Sequence, residues 1–333
     1  MRTTRDAYET WFHGERAIEL VWDQYKAIIL PQIGGNLIAF IDTKRKLSFL
    51  HTPTEEEMPK FKGTPYLYGI PVLFPPNRYD AGTITVNNRV YHFPINEPSK
   101  NNHLHGFMYD IPWTVKDAGV NKTASYITLL QKINVRHSVY QFWPHDFEMH
   151  LHYSLNGLGL IQHVSLRNEG KEKMPCLLGF HTALSAPFAE SSTASDYRLK
   201  VTIGGRWELS ERGLPTGRLL KLSSKESNMR VSGENPFSEA MDNHYSALPI
   251  NGRNRMELSD LSKRVTLIYD VGSAFRQWMI WNNEAQPGFF CVEPQVNLVN
   301  APNVEMPSEE IGLFFIEPSE IWEESSRLYC KNF

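Results

Sequence analysis

The sequence predicts an all-β protein, built as a large antiparallel β-sandwich with few short helices. Segment 147–155 alternates strictly between apolar and polar residues, as a strand with one buried face does. Segments 264–271 and 276–281 are rich in β-branched and aromatic residues. Helix signals are few, and glycine and proline, 21 of each, are spread along the chain. We therefore expect residues 1–333 to form one sandwich domain.

Two local patterns add shorter elements. Segments 83–86 and 89–93 are expected to pair as a hairpin, because Asn87 and Asn88 tolerate the positive φ of a tight turn. Thr54 and Glu57 have the spacing of a helix capping box. Pro59 is expected to limit that helix to about one or two turns.

The composition narrows the classes of function. Hydrophobic residues make up 41% and charged residues 21%, the usual balance of a soluble globular protein. The net charge of -3 has no long block of either sign, so nothing favours nucleic acid or anionic membranes as partners. No segment is apolar enough for a signal peptide or a membrane span. The three cysteines are an odd number and lack metal-type spacing, so we expect a reducing, cytoplasmic compartment. We also expect a monomer or homodimer.

Segment 101–113 concentrates more side-chain chemistry than an ordinary surface loop carries. His103 and His105 stand two residues apart, and Gly106 follows at once. A glycine permits a turn or a close ligand approach that a Cβ would block. The segment is therefore a predicted ligand-binding element.

Two polar residues interrupt apolar strands. His181 follows an apolar run, and imidazole titrates near neutral pH. Periodicity alone favours a core histidine bonded to backbone. Glu293 ends another apolar strand, where an unpaired carboxylate would be costly and burial would raise its pKa. The residues alone leave a general base and a buried ion pair with arginine equally open.

Two further charged residues are candidates of lower weight. Arg78 follows an apolar strand and two prolines that stiffen the backbone. Asp242 is a lone acid in an expected loop. Taken singly, each is more often structural.

In this order, five motifs resemble those of the aldose 1-epimerase (galactose mutarotase) family. They are Pro76-Asn77-Arg78, Asn102-His103-Leu104-His105-Gly106, the isolated His181, the Asp242 loop, and Cys291-Val292-Glu293-Pro294-Gln295. Segment 143–148 also resembles the family's aromatic-Pro-X-Asp-Phe run. The resemblance covers roughly residues 15–318.

The resemblance implies a large β-sandwich with a monosaccharide in an open cleft on one sheet. Glu293 would be the general base that removes the anomeric hydroxyl proton, and His181 the acid that protonates the ring oxygen. His105 and Arg78 would hydrogen-bond the sugar and stabilise charge on its oxygens, and Asp242 would bind ring hydroxyls. Such proton transfers require no metal and no organic cofactor.

The chain departs from the family pattern in two places. It has His105-Gly106-Phe107 where galactose mutarotases commonly have His-Gly-Gly, so the cleft wall is expected to differ. Tyr68-Gly69-Ile70 replaces the Arg-Gly-Gly run of the glucose-6-phosphate epimerase branch, which favours an unphosphorylated sugar. Phe107, Trp143 and Tyr79 are expected to form an aromatic platform for the sugar ring.

Four alternatives remain open. The first is a hexose-6-phosphate 1-epimerase, and the second is a non-catalytic carbohydrate-binding or regulatory protein. The third is a metal enzyme in which His103 and His105 share a strand face with Asp110 nearby, faintly like cupins. The fourth is a glycoside hydrolase, whose two carboxylates would have to be Glu293 and Asp242.

Overall fold

The computed structural model describes residues 4–333. Its first strands are β1 (Arg5–Phe12), β2 (Glu15–Trp22), β3 (Tyr25–Leu30), β4 (Asn36–Asp42), β5 (Leu47–Ser48), β6 (Val72–Leu73), β7 (Arg78–Asp80), β8 (Thr83–Val86), β9 (Arg89–His92), β10 (Asn102–Leu104), β11 (Thr114–Val120), β12 (Ser125–Ile133), β13 (Phe147–Asn156) and β14 (Gly159–Asn168). The remaining strands are β15 (Met174–Pro175), β16 (Gly179–Phe180), β17 (Ala183–Ala186), β18 (Tyr197–Val201), β19 (Ile203–Leu209), β20 (Pro215–Leu220), β21 (Asp242–Ala247), β22 (Asn254–Asp260), β23 (Val265–Val271), β24 (Gln277–Trp281), β25 (Gly288–Gln295), β26 (Phe315–Ile316) and β27 (Ile321–Asn332). The helices are α1 (Met58–Gly63), α2 (Ser224–Val231) and α3 (Ser308–Ile311), with 3-10 turns at Pro65–Leu67, Pro98–Lys100, Ser138–Gln141, Ala194–Asp196 and Ala301–Asn303.

Three larger antiparallel sheets make up most of the structure. One runs β1-β2-β3-β4-β5, and a second runs β11-β12-β13-β14-β27-β23-β22-β18. The third runs β20-β19-β21-β24-β25-β16-β6, with β17 also paired to β25. One continuous apolar cluster draws buried side chains from all three sheets, among them Phe40, Leu151 and Trp278. The predicted all-β sandwich with few short helices is therefore confirmed.

The strand and hairpin predictions are confirmed in detail. Residues of β13 alternate between buried and half-buried along its whole length, as the apolar/polar alternation of 147–155 indicated. β8 and β9 pair across Asn87 and Asn88, which have φ values of 50° and 57°. Asparagine adopts this left-handed conformation more readily than most residues, so the sequence determines the turn.

The first helix starts later than the capping-box pattern indicates. Thr54 and Glu57 exchange the expected side-chain to backbone hydrogen bonds, at 3.0 and 3.3 Å. α1 begins at Met58, so Pro59 lies in its first turn rather than at its end. Proline suits that position because the first helical N–H groups have no partner within the helix. Among residues 4–333, no helix combines the length and apolar character that crossing a membrane requires.

Candidate active site

A cavity of about 310 Å³ opens on the sheet that contains β24 and β25. It is lined by Tyr66, Leu67, Asn77, Arg78, Leu104, His105, His181, Asp242, Met279, Trp281, Asn283 and Glu293. All five site residues proposed from the sequence are in this set. Residues far apart along the chain therefore meet in one cleft.

His181 lies in the short break between β16 and β17 and faces Glu293 on the neighbouring strand β25. β25 pairs Gln295 with Gly179 and Cys291 with Ala183, so His181 falls opposite Glu293. The imidazole Nε2 lies 3.3 Å from the carboxylate Oε1, and both side chains are almost completely buried. The charged partner of the Glu293 carboxylate is therefore His181 rather than an arginine in direct contact. Gln295 donates a further hydrogen bond of 3.2 Å to Oε2 of Glu293.

Burial determines how protons distribute in this pair. It lowers the pKa of His181 to about 3. Burial also raises the pKa of Glu293 well above its usual range, and the charge of Asp242 raises it further. Gln295 and Arg78 act in the opposite direction on Glu293. A buried pair with two protons or none carries net charge, so burial favours the state in which the pair holds one proton.

His105 enters the cleft from a sharp bend after β10. Its φ is 68°, and its backbone N–H donates to the Asn77 carbonyl at 2.9 Å. Gly106 follows with φ 70°, and a Cβ there would lie 2.2 Å from the Phe74 carbonyl oxygen, so only glycine fits. The bend places the His105 ring 5.0 Å from that of His181. Burial lowers the pKa of His105 well below its usual value, so it is a neutral hydrogen-bonding group.

Arg78 is held between two carboxylates. Its Nε donates to both oxygens of Glu97, at 3.0 and 3.1 Å, and its Nη2 lies 3.5 Å from Asp242. Glu97 was not predictable from the sequence, because it stands just before Pro98 and no local pattern marks it. Only the folded chain brings it next to Arg78.

Asp242 is not a lone acid in a loop, as the sequence suggested. It is the first residue of β21 and pairs with Trp281 on β24. The strand begins with the polar residues Asp-Asn-His, so this segment lacks the apolar alternation that predicts a strand. The Asp242 side chain is 41% exposed, so it is accessible from the cleft even though it pairs with Arg78.

The predicted aromatic platform is wrong. Tyr79 and Trp143 are completely buried in the core, and Phe107 stacks on Phe142 at 5.1 Å between ring centroids. The aromatic residues that line the cleft are Tyr66 and Trp281. Trp281 ends a strand that the sequence predicted, and its two-residue offset from Met279 places both on the cleft face.

His103 and His105 do not face the same way, contrary to the metal-enzyme alternative. The His103 Nδ1 contacts the Pro94 carbonyl at 2.8 Å, and its ring packs on Phe93 and Phe107. Strand alternation fails here because β10 ends at Leu104. Within residues 4–333, no cluster of three or more His, Cys, Asp or Glu side chains is arranged to hold a metal ion.

Comparison with known proteins gives a family match and several similar folds. The sequence model of the family described as aldose 1-epimerase matches residues 16–328. A galactose mutarotase-like protein from Clostridium acetobutylicum is 30% identical, with a TM-score of 0.95 and both chains covered in full. A putative aldose 1-epimerase from Escherichia coli K12 is 16% identical, with a TM-score of 0.73 over 93% of this chain and 97% of that one. A galactose 1-epimerase from Lactobacillus acidophilus NCFM is 14% identical, with a TM-score of 0.74 over 99% of each chain.

Proposed function

Because the chain belongs to the aldose 1-epimerase family, we propose that it interconverts the α and β anomers of a free aldose. The observation that carries this proposal is the pairing of His181 with Glu293, 3.3 Å apart in the cleft. Mutarotation needs an acid and a base acting on two oxygens bonded to one carbon. An imidazole and a carboxylate side by side in the cleft are groups that can supply both.

In the proposed reaction, the pair reacts with its proton on His181: the Glu293 carboxylate takes the proton of the anomeric hydroxyl while the His181 imidazolium gives its proton to the ring oxygen. The bond between the anomeric carbon and the ring oxygen breaks, and an open-chain aldehyde forms. Rotation about the bond to the neighbouring carbon presents the other face of the aldehyde. Reversal of both proton transfers closes the ring as the other anomer and returns the pair to its starting protonation.

The other cleft residues support this role by their chemistry. Neutral His105 and the guanidinium of Arg78 offer hydrogen bonds to sugar oxygens, and the accessible carboxylate of Asp242 accepts from ring hydroxyls. Tyr66 and Trp281 provide apolar faces for the sugar ring. A cavity of about 310 Å³ is at the small end of ligand sites, which suits a monosaccharide.

The charge of the cleft favours an unphosphorylated sugar. Arg78, the arginine that lines it, already faces the carboxylates of Glu97 and Asp242. It has no excess positive charge to offer to a phosphate group. We therefore assign a neutral aldose as the substrate rather than a hexose 6-phosphate.

Polarimetry of freshly dissolved α-D-glucose and α-D-galactose tests the proposal. Low temperature and low buffer concentration slow the spontaneous reaction, and protein-free and heat-denatured samples are the controls. Acceleration for at least one free sugar, and none for glucose 6-phosphate, is the expected result. Thermal stabilisation by a sugar without any acceleration would instead identify a non-catalytic binding protein.

A further inference from the structure

Glu97 is a half-buried carboxylate with no role in the proton transfers just described. Its side chain is 15% exposed, and that of its partner Arg78 is 11% exposed. Both carboxylate oxygens lie within 3.1 Å of the Arg78 Nε. A charged pair as buried as this contributes more than an exposed one, because water screens it less.

The position of Glu97 is determined by several contacts. Asn102 donates from Nδ2 to Glu97 Oε2 at 3.0 Å, and the two residues exchange backbone hydrogen bonds of 3.1 and 3.2 Å. The same Nδ2 lies 2.9 Å from the Arg212 carbonyl oxygen. The carboxylate is therefore fixed before any ligand arrives.

The other sides of the Arg78 guanidinium are also occupied. A Cβ on Gly213 would lie 3.0 Å from Arg78 Nη1 and Cδ, so the chain at Gly213 lies against the guanidinium. Asp242 contacts Nη2 at 3.5 Å. With Glu97 on Nε, these three neighbours leave the cleft as the open direction for hydrogen bonding.

The charges around Arg78 are unequal in number. One positive group faces three carboxylates from three separate parts of the chain, while Lys100 lies 4.0 Å from Glu97 at the margin. Further titratable groups close to this centre are His105, His181, Tyr66 and Cys291. Arg78 lowers the pKa of Glu293, and Asp242 raises it. Because Glu97 partly neutralises the charge of Arg78, it limits how far Arg78 lowers the pKa of Glu293.

We propose that Glu97 is a positioning residue that aims the Arg78 guanidinium into the cleft and restrains its pull on Glu293. Its effect on turnover rests on the proposed function, whereas its effect on the ionisation of Glu293 does not. Removal of the Glu97 charge takes a negative group away from the cleft. The pKa values of the His181–Glu293 pair then decrease, since positive potential favours loss of protons.

Three variants separate charge from structure. Glu97→Gln keeps the shape of the side chain and removes its charge, whereas Glu97→Asp keeps the charge and shortens the reach. Glu172→Gln is the matched control, because Glu172 is a 68% exposed partner of Arg89. For each variant, kcat and KM are measured over a pH series, and melting temperature is recorded alongside.

We expect Glu97→Gln to lose kcat/KM by about tenfold to hundredfold and to shift both limbs of its pH profile to lower pH. Glu97→Asp loses rate while its pH limbs stay near those of wild type, and Glu172→Gln matches wild type throughout. The inference would be overturned if the pH profile of Glu97→Gln were unshifted. This holds whether the rate of the variant is normal or is reduced together with its melting temperature.

A measurement without substrate separates this inference from the proposed function. Infrared difference titration of wild type against Glu293→Gln reports the ionisation of the Glu293 carboxyl. Repeated in the Glu97→Gln background, it should show that ionisation at lower pH. If wild type lacks mutarotase activity, the proposed function fails, and this titration still decides the role of Glu97. An unchanged Glu293 titration would overturn the inference.

Discussion

His181, in the short break between β16 and β17, lies opposite Glu293 on β25, with the imidazole Nε2 3.3 Å from the carboxylate Oε1. The backbone register places the two residues opposite each other, because β25 pairs with β16 on one side of them and with β17 on the other. A rigid sheet is a more accurate support for acid–base chemistry than a flexible loop. The pair is therefore ready for proton transfer before a sugar binds.

Replacement of Trp281 by alanine tests the cleft wall. We expect Trp281→Ala to raise KM several-fold, since loss of an aromatic contact costs about 1 kcal/mol, while kcat changes less. Trp11→Ala is the control, because Trp11 is 68% exposed and lies outside the cleft lining. Equal KM values for wild type and Trp281→Ala would remove Trp281 from the sugar site.

Substitution of Gly106 tests the bend that presents His105. Gly106→Ala combines a positive φ with a Cβ 2.2 Å from the Phe74 carbonyl oxygen, so the chain must shift. We expect the free energy of unfolding to fall by about 3 kcal/mol or more, and activity to fall with it. Gly252→Ala is the matched control, because its φ is +72° with nothing within 4 Å of the added Cβ. That variant should lose only about 1 kcal/mol, and equal losses would contradict the packing argument.

Stability should decrease as the pH falls below about 6.5, the pKa of an unperturbed histidine. Burial lowers the pKa of a set of histidines to about 4 or about 3: His51, His103, His145, His181 and His244. Between pH 6.5 and those values, the unfolded state binds more protons than the folded state. Stability is therefore lost on acidification, by up to about 1.4 kcal/mol per pH unit for each histidine.

Asp110 and Glu293 act in the opposite direction, because burial raises the pKa of both carboxyl groups. At a pH above the ordinary carboxyl pKa, the folded state therefore binds more protons at these two groups than the unfolded state does. The histidines outnumber them, so the net slope stays positive. Denaturant unfolding at pH 6.5 and 5.0 should show a loss of at least about 3 kcal/mol. Calorimetry in two buffers of different ionisation enthalpy should show proton uptake on unfolding. Proton release in this range would contradict the prediction.

Local patterns in the sequence were sufficient for several strands and one turn, whereas the five cleft residues were grouped through the resemblance to the aldose 1-epimerase family. The alternation in β13 and the Asn-Asn turn are determined by neighbouring residues, so both were predictable. Contacts that depend on strand register were not. The sequence named His181 and Glu293 separately, but their opposition follows from how β16 and β17 pair with β25.

Burial was a second quantity that the sequence did not reveal. Trp143 and Tyr79 have the chemistry of a sugar platform, yet both are core residues. Tyr66 and Glu97 were not predicted as site residues, because each lies next to a proline in a segment without periodicity. The fold alone brings Tyr66 to 4.7 Å from the His105 ring and Glu97 to Arg78.

The most direct test of the acid–base pair compares Glu293→Gln with wild type by polarimetry of a freshly dissolved free sugar. Glu172→Gln is the control, since it makes the same chemical change at an exposed site. We expect wild type and Glu172→Gln to accelerate mutarotation equally. Glu293→Gln should lose about 10²–10⁴-fold in kcat while remaining folded, because it cannot take the anomeric proton. A folded Glu293→Gln variant with wild-type kcat would contradict the assignment of Glu293 as the base.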